Sequence, residues 1–525
     1  MDNKQAIMTG DVVLGIELGS TRIKAVLMGM DFVPLASGSY TWENRFENGY
    51  WTYPLEQALE GLQACYQDLK KTVQSQFGIT LTKIAAMGIS GMMHGYLPFD
   101  KDDNLLAPFR TWRNATTGPA AEELTNLFGY NVPLRWSIAH LRQAMLNRED
   151  HLPELAFLTT LAGYIHYRLT DEKVVGVNEG SGIMPVDEKV GDYDQTMVDK
   201  FDALNTAYPW KLRDVLPKVL PAGTVAGTLT PEGAKLLDPA GDLLPGVPLC
   251  PPEGDGGTGM TATNAVTPGS GNVSAGTSIF AMVVLEKGLR KVYPQIDMIM
   301  TPAGKPVAMV HCNNCTTDMN AWVGVFGEFL KLMGHEADMG ELFTKLYQKS
   351  LEGDPDCGGV TVYNYLSGEH ILDIEDGRPV VVRDTEHPFT LANFLRSQLY
   401  ATMASLAAGM KILEQEQVVI HRLMGHGGLF KTPVVGQKYL AAATNSPVWV
   451  METAGEGGPY GMALLAAYLL HSKDMGLDEF LETKVFAGTP GSVMEPDPVD
   501  VAGFKAYLDR FVTGLAVEKA AAEYL

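Results

Sequence analysis

Residues Gly15–Leu27 read GIELGSTRIKAVL, and residues Asn272–Val284 read NVSAGTSIFAMVV. Superposed, Gly19-Ser20-Thr21 falls on Gly276-Thr277-Ser278, with apolar strand patterns on both sides. Each copy predicts a strand, a tight glycine turn carrying small hydroxyls, and a returning strand. Glycine lets backbone approach backbone or ligand without an obstructing Cβ. Free N–H groups and hydroxyls at such a turn form an anion pocket. One such hairpin is weak. Two, in opposite halves of the chain, predict a pair of phosphate clamps facing each other across a cleft.

The rest of the chain fits a large globular protein. Its 525 residues exceed one ordinary core and predict two domains, with boundaries at 1–265 and 266–525. An acidic excess of 62 over 40, a formal charge of −22, argues against nucleic acid and anionic membrane as partners. Five cysteines do not make a disulfide framework and point to a reducing cytoplasm. The start of the chain, MDNKQ, is unlike a signal peptide. The apolar run from Met462 to Leu470 is too short for a membrane span and predicts a buried helix.

Local periodicity places further elements. Leu55, Leu59, Leu62, Tyr66, Leu69 and Val73 recur at helical spacing. Residues 119–170 read as mostly helical. Thr390 is an N-cap candidate for a long helix through Leu413, and a final amphipathic helix starts near Val499. The Pro- and Gly-rich stretch from Pro217 to Gly271 reads as the connection between the halves.

Five motifs in order carry a resemblance: the Gly15–Leu27 hairpin, Gly88-Ile89-Ser90-Gly91-Met92-Met93-His94-Gly95, Thr111-Trp112-Arg113-Asn114, Glu253-Gly254-Asp255-Gly256-Gly257, and Gly425-His426-Gly427-Gly428-Leu429-Phe430-Lys431-Thr432-Pro433. From about Asp11 to Tyr468 the chain resembles the FGGY carbohydrate kinases, nearest the ketopentose kinases for xylulose and ribulose. The resemblance implies an α/β fold of two actin-like (ribonuclease-H-like) ATPase domains with a catalytic cleft between them. It implies ATP and Mg²⁺ as cofactors and a cytoplasmic enzyme of pentose catabolism. The partners it implies are a small sugar and ATP, without nucleic acid or membrane, and a homodimer is common in the family.

Roles carry over residue by residue. Asp255 is the expected general base, because a primary alcohol attacking phosphorus must lose its proton. Met93, His94, Trp112 and Asn114, with Asp255, are the expected sugar contacts. Gly19, Ser20, Thr21, Lys24, Gly276, Thr277, Ser278, Gly427, Gly428 and Thr432 are the expected ATP contacts. Glu17 and Asp255 are the expected magnesium carboxylates. Asn178-Glu179-Gly180-Ser181 matches a segment near the sugar, and Glu452 to Gly461 the packing against the nucleotide side.

The chain departs from the family at several of these positions. Relatives carry aspartate at position 17, glutamine at 92, aspartate at 114 and, in some, asparagine at 432. Cys312 and Cys315 form a lone CxxC without a second ligand pair, which argues against zinc. The helix around Tyr400 reads as core. Two other readings stay open at this point: an actin- or chaperone-like ATPase that shares the hairpins, and a catalytically degenerate sugar-binding member.

Overall fold

The computed structural model describes residues 2–336, 338–451 and 457–525. The chain separates into two compact units that interleave along the sequence. The first comprises Met1–Thr267, Glu286–Val307 and Glu456–Gly488; the second comprises Pro268–Leu285, Ala308–Gly455 and Thr489–Leu525.

The first unit is built on a five-stranded sheet ordered Glu253–Gly254, Ala86–Gly91, Val12–Leu18, Arg22–Gly29, Pro34–Thr41. Val12–Leu18 pairs antiparallel with Arg22–Gly29 and parallel with Ala86–Gly91. Side chains alternate between faces along a strand, and glycines mark where helices seat. Gly15 and Gly88 are direct partners across the sheet. A Cβ on Gly15 would collide with the backbone of Pro459 and Ala463, and one on Gly88 would meet Met462 and, at 2.6 Å, Cys250 Sγ. Both therefore receive the buried helix Gly457–Leu469.

Gly38 lies one register away, level with Ala25 and Ile16, and so points to the other face. Its missing side chain admits the backbone of Cys65 and Leu69 in the helix Leu55–Phe77. Of the stripe expected from periodicity, that helix buries Leu55, Leu62, Tyr66, Leu69 and Val73, while Leu59 is half-buried. The helix Asp255–Ala262 meets Gly457–Leu469 at Gly461, whose Cβ would collide with the Thr258 carbonyl.

The second unit repeats this arrangement. Its strands run Pro306–Cys312, Ile279–Val284, Ser270–Ala275, Arg422–His426, Val448–Met451, Gly491–Met494 in order. The central hairpin is again antiparallel, and Arg422–His426 again adds parallel to its first strand. The helix Leu391–Gln415 is buried along most of its length, and the Thr390 side chain accepts from the Asn393 N–H at 3.2 Å as its N-cap. Tyr400 packs against Tyr439, Phe504 and Tyr507, as core. The tail helix Pro498–Thr513 is anchored by Asp500, which lies between Arg396 and Lys438. Each unit thus has a mixed sheet built on one of the paired hairpins and flanked by helices, as the family resemblance implies. Among the described residues no helix is long and apolar enough to cross a membrane.

Gly15→Ala should lower unfolding stability by about 3 kcal/mol, because the added carbon overpacks a backbone-to-backbone contact that cannot rotate away. Gly118→Ala, where a Cβ meets nothing within 4 Å, should change it by less than about 1 kcal/mol. Urea unfolding of the two variants measures the difference.

Candidate functional site

The turn Gly19–Arg22 is closed by the Gly19 N–H donating to the Arg22 carbonyl at 3.0 Å. Two aromatic residues hold it from behind. Trp42 Nε1 donates to the Gly19 carbonyl at 2.7 Å, and the Tyr53 hydroxyl donates to the Ser20 carbonyl at 2.6 Å. Their rings stack with centroids 4.3 Å apart. The carbonyls are engaged, while Ser20 and Thr21 remain exposed.

One residue pair before the turn, Glu17 faces Lys24 on the returning strand and Ser90 on the parallel strand. The Glu17 carboxylate lies against Gly458, where a Cβ would collide with it. Burial, then the nearby Asp255, push its pKa up to about 7, and Lys24 opposes the shift.

Asp255 opens the helix Asp255–Ala262 at the end of the edge strand Glu253–Gly254. Its Oδ1 accepts the Met93 N–H at 3.2 Å. More than a third of the residue's surface is open to solvent. Even so, protein crowds the carboxyl enough to hold it above the ordinary range, while the Met93 and Gly256 N–H groups and Arg135 oppose this.

His94 sits three residues past the strand Ala86–Gly91 with φ of 68°, a left-handed conformation that few non-glycine residues adopt. Its Nδ1 lies 3.1 Å from the Gly182 carbonyl, which assigns the proton to Nδ1 and leaves Nε2 as an acceptor. Burial lowers the pKa to about 3, with Arg135 adding to it, so the ring stays neutral at physiological pH. Met93 contributes its N–H to Asp255, and its side chain packs where Gly254 lacks one.

Asn114 differs from expectation. It is 3 % exposed, and its amide is committed to backbone. Oδ1 accepts the Trp51 N–H at 2.8 Å, and Nδ2 donates to the Trp51 and Thr111 carbonyls at 2.8 and 3.0 Å. It staples the Thr111–Asn114 turn to the strand Tyr50–Thr52, with both amide atoms engaged by backbone. Trp112, at 40 % exposure, is the open aromatic face of that turn. Arg113 lies over the Trp51 ring at 3.8 Å and donates to Asn44 Oδ1 at 3.0 Å.

Sequence reasoning missed Arg135, whose charge acts on both His94 and Asp255 and which ion-pairs with Asp297. It also gave no role to Glu253, which burial pushes up to about 8. Glu179 is fully buried and held well above the usual carboxylate range by burial. An isolated acid preceding a Gly-Asp turn carries no signal for such burial.

In the second unit, the Gly276 N–H donates to the Ser278 carbonyl at 2.9 Å, and Thr277 is exposed. The segment entering the helix Thr317–Leu332 braces this turn. The Cys315 N–H donates to the Thr277 carbonyl at 3.0 Å, and Thr316 Oγ1 donates to that of Gly276 at 2.7 Å. The CxxC is therefore structural wall: both thiols are buried and free, with pKa values pushed up by burial.

Gly427, at φ of 99°, passes directly over Ala275, so its loop lies beside the hairpin turn. Gly428 faces open space. Thr432 is buried at 7 % exposure, unlike its exposed neighbours Lys431 and Pro433. Of the segment expected to pack on the nucleotide side, residues 452–456 lie outside the described residues.

The two halves match the models of the N-terminal domain of the FGGY family of carbohydrate kinases over residues 12–256 and of its C-terminal domain over residues 271–470. The xylulose kinase of Haemophilus influenzae is 20% identical over 515 residues, 96% of this chain and 99% of that protein. Among solved structures, the xylulose kinase of Rhodospirillum rubrum superposes with a TM-score of 0.77 at 19% identity, over 96% of this chain and 98% of the other. The gluconate kinase of Lactobacillus acidophilus superposes with a TM-score of 0.78 at 18% identity, over 98% of this chain and 99% of the other. With both family domains matched in order along it, the chain belongs to the FGGY family of carbohydrate kinases and is a sugar kinase.

Proposed function

We propose that this kinase transfers the terminal phosphoryl group of ATP to a terminal hydroxyl of a ketopentose, xylulose or L-ribulose, in pentose catabolism. The observation that carries the reading is Asp255, an accessible carboxyl at a helix start, anchored by the Met93 N–H and held above its ordinary pKa. A raised pKa makes a carboxylate a better proton acceptor for an attacking alcohol. The sugar O–H bond breaks, with its proton passing to Asp255. The new bond to phosphorus forms as the bond to the leaving ADP oxygen breaks.

Neutral His94 offers Nε2 as an acceptor to a second sugar hydroxyl, which orients the polyol. Trp112 supplies an apolar wall for the carbon face. Gly19, Ser20, Thr21 and Lys24 in one unit and Gly276, Thr277 and Ser278 in the other would hold phosphate oxygens. Gly427 and Gly428 would lie along the nucleotide. The curated relatives named xylulose kinase support the pentose assignment, including one of Klebsiella pneumoniae at 23% identity over 76% of this chain.

The residues present fit a magnesium ion. Asp255 adds to the raised proton affinity of Glu17, and Lys24 offsets this only in part. Among the described residues no three or more His, Cys, Asp or Glu side chains converge into a cage. Magnesium commonly takes one or two carboxylates and keeps its waters. Bound there, it would neutralise charge on the transferring phosphates. Glu17 and Asp255 would hold it, largely through water.

A coupled ADP-release assay with Mg-ATP across ketopentoses, gluconate, glycerol and a no-sugar control tests the reading. Turnover with one ketopentose is expected, and no response to any sugar would overturn it. Asp255→Asn should cut kcat by at least 10³-fold with the melting temperature unchanged, since removal of a general base together with its charge at the reacting centre is worth about that much; full activity in that variant would sink the base assignment. Gly276→Ala adds a Cβ that meets no protein atom. The fold should persist while the ATP KM rises by about tenfold, as read by initial-rate kinetics, because the added carbon sits where a phosphate would approach.

Glu17 gives a pH test. Its folded pKa of about 7 exceeds the ordinary 4.5. Its contribution to stability is therefore complete below the unfolded value and is lost as pH rises through about 7. Without metal, the melting temperature should fall between pH 6 and pH 8, and Glu17→Gln should remove that part of the fall. Added Mg²⁺ should stabilise the wild type more at pH 8 than at pH 6. Parallel melting curves in the two proteins would refute this role.

A further inference from the structure

The short helix Val177–Ser181 is buried throughout, and its N-cap is Gly176, with φ −75° and ψ 169°. A helix start leaves N–H groups that need acceptors, ordinarily met by a Ser, Thr, Asp or Asn side chain at the N-cap. Gly176 has none. The acceptor arrives from elsewhere: Glu253 Oε2 takes the Glu179 N–H at 3.0 Å, and the same carboxyl also takes the Asn178 N–H. A Cβ on Gly176 would collide with this carboxyl. The backbones are adjacent too, with the Gly176 N–H donating to the Pro252 carbonyl at 2.7 Å. Glu253 thus fills the volume where a local capping side chain would sit.

What the helix touches gives the cap its consequence. Asn178 Oδ1 accepts the Gly257 N–H at 3.0 Å, in the first turn of the helix that Asp255 opens. Asn178 Nδ2 donates to the Met300 carbonyl at 2.7 Å. Ser181 Oγ donates to the Asn178 carbonyl at 2.6 Å and accepts the Met300 N–H at 3.0 Å. Gly182, just beyond the helix, receives Nδ1 of His94. Gly254 and Gly257 lack side chains where Glu179 Oε2 and Asn178 Cγ stand, at 2.7 and 2.6 Å from where a Cβ would be. The helix is a splint between Asp255 and His94.

We propose that Glu253 is a positioning residue, a detached N-cap that seats the helix Val177–Ser181 and through it aligns Asp255 with His94. The proposal rests on the kinase reading only for its effect on turnover. The capping itself is read without turnover.

The test compares the full-length wild type with Glu253→Ala, Glu253→Gln and the double variant Gly176→Asp/Glu253→Ala, which moves the acceptor to the N-cap. Amide hydrogen–deuterium exchange over residues 176–182 and 254–258 reports the cap, and kcat and KM with the responding ketopentose report alignment. Glu253→Ala should speed exchange at Asn178, Glu179 and Gly257 by at least tenfold. It should lower kcat by at least tenfold while the ATP KM moves less than threefold. Glu253→Gln, which keeps an Oε acceptor, should recover most of both losses, and so should the double variant. If Glu253→Ala does not fold, a folded double variant supports the cap, and a double variant that also fails overturns it. Unchanged exchange in Glu253→Ala, or lost turnover that neither other variant recovers, likewise overturns the proposal. A wild type silent toward every sugar would refute the kinase reading while leaving the exchange comparison to decide the cap.

Discussion

The first unit depends on backbone meeting backbone at glycine. Gly15 and Gly88 present a smooth strip of sheet, and the helix Gly457–Leu469 settles into it at a depth no larger residue would permit. Gly461 lets the same helix touch the carbonyl of Thr258 in the next helix. Close-packed interiors transmit position because they have little slack. Those contacts set where Glu17 and Asp255 stand, one beside Gly458 and the other a turn before Thr258.

Electrostatic tension is the second organising feature. Glu17, Glu179, Glu253 and Asp255 all hold their protons more tightly than free carboxyls, chiefly through desolvation. Lys24 and Arg135 are the charged groups that oppose it. A fold selected for stability alone would not gather acids where water is scarce, since burying an unpaired charge is costly. Their grouping is intelligible where a substrate hydroxyl and phosphate-bound cations complete the balance.

Much of this was legible in sequence because it is local. The two hairpins are strand, turn and strand within thirteen residues, and the Thr390 cap and the Leu55–Phe77 stripe declare themselves within one or two helical turns. The role proposed for Asp255 comes from motif order. What stayed hidden is non-local. Asn114 looked like a polar group offered to a ligand, yet the strand Tyr50–Thr52 claims its amide from more than sixty positions away. Thr432, an expected ATP contact, is buried. Glu253 looked like one more acid in a loop, and only the neighbouring Gly176, far off in sequence, gives it a purpose. The Pro217–Gly271 stretch read as a connector, yet it supplies the edge strand and the helix that carry Asp255 to the first unit.

The helix Gly457–Leu469 also sets a schedule for synthesis. The sheet it covers begins at Val12, but the ribosome must add more than four hundred further residues before that cover exists. Until then the glycine strip and the apolar residues beside it lack their partner. Contacts so distant in sequence form late and slow the approach to the native state. A nascent chain ending at Thr267 holds all five strands of the first sheet and still lacks one face of its core. The helix-covered face of the sheet that leads to Asp255 is thus completed only when nearly the whole protein has been made.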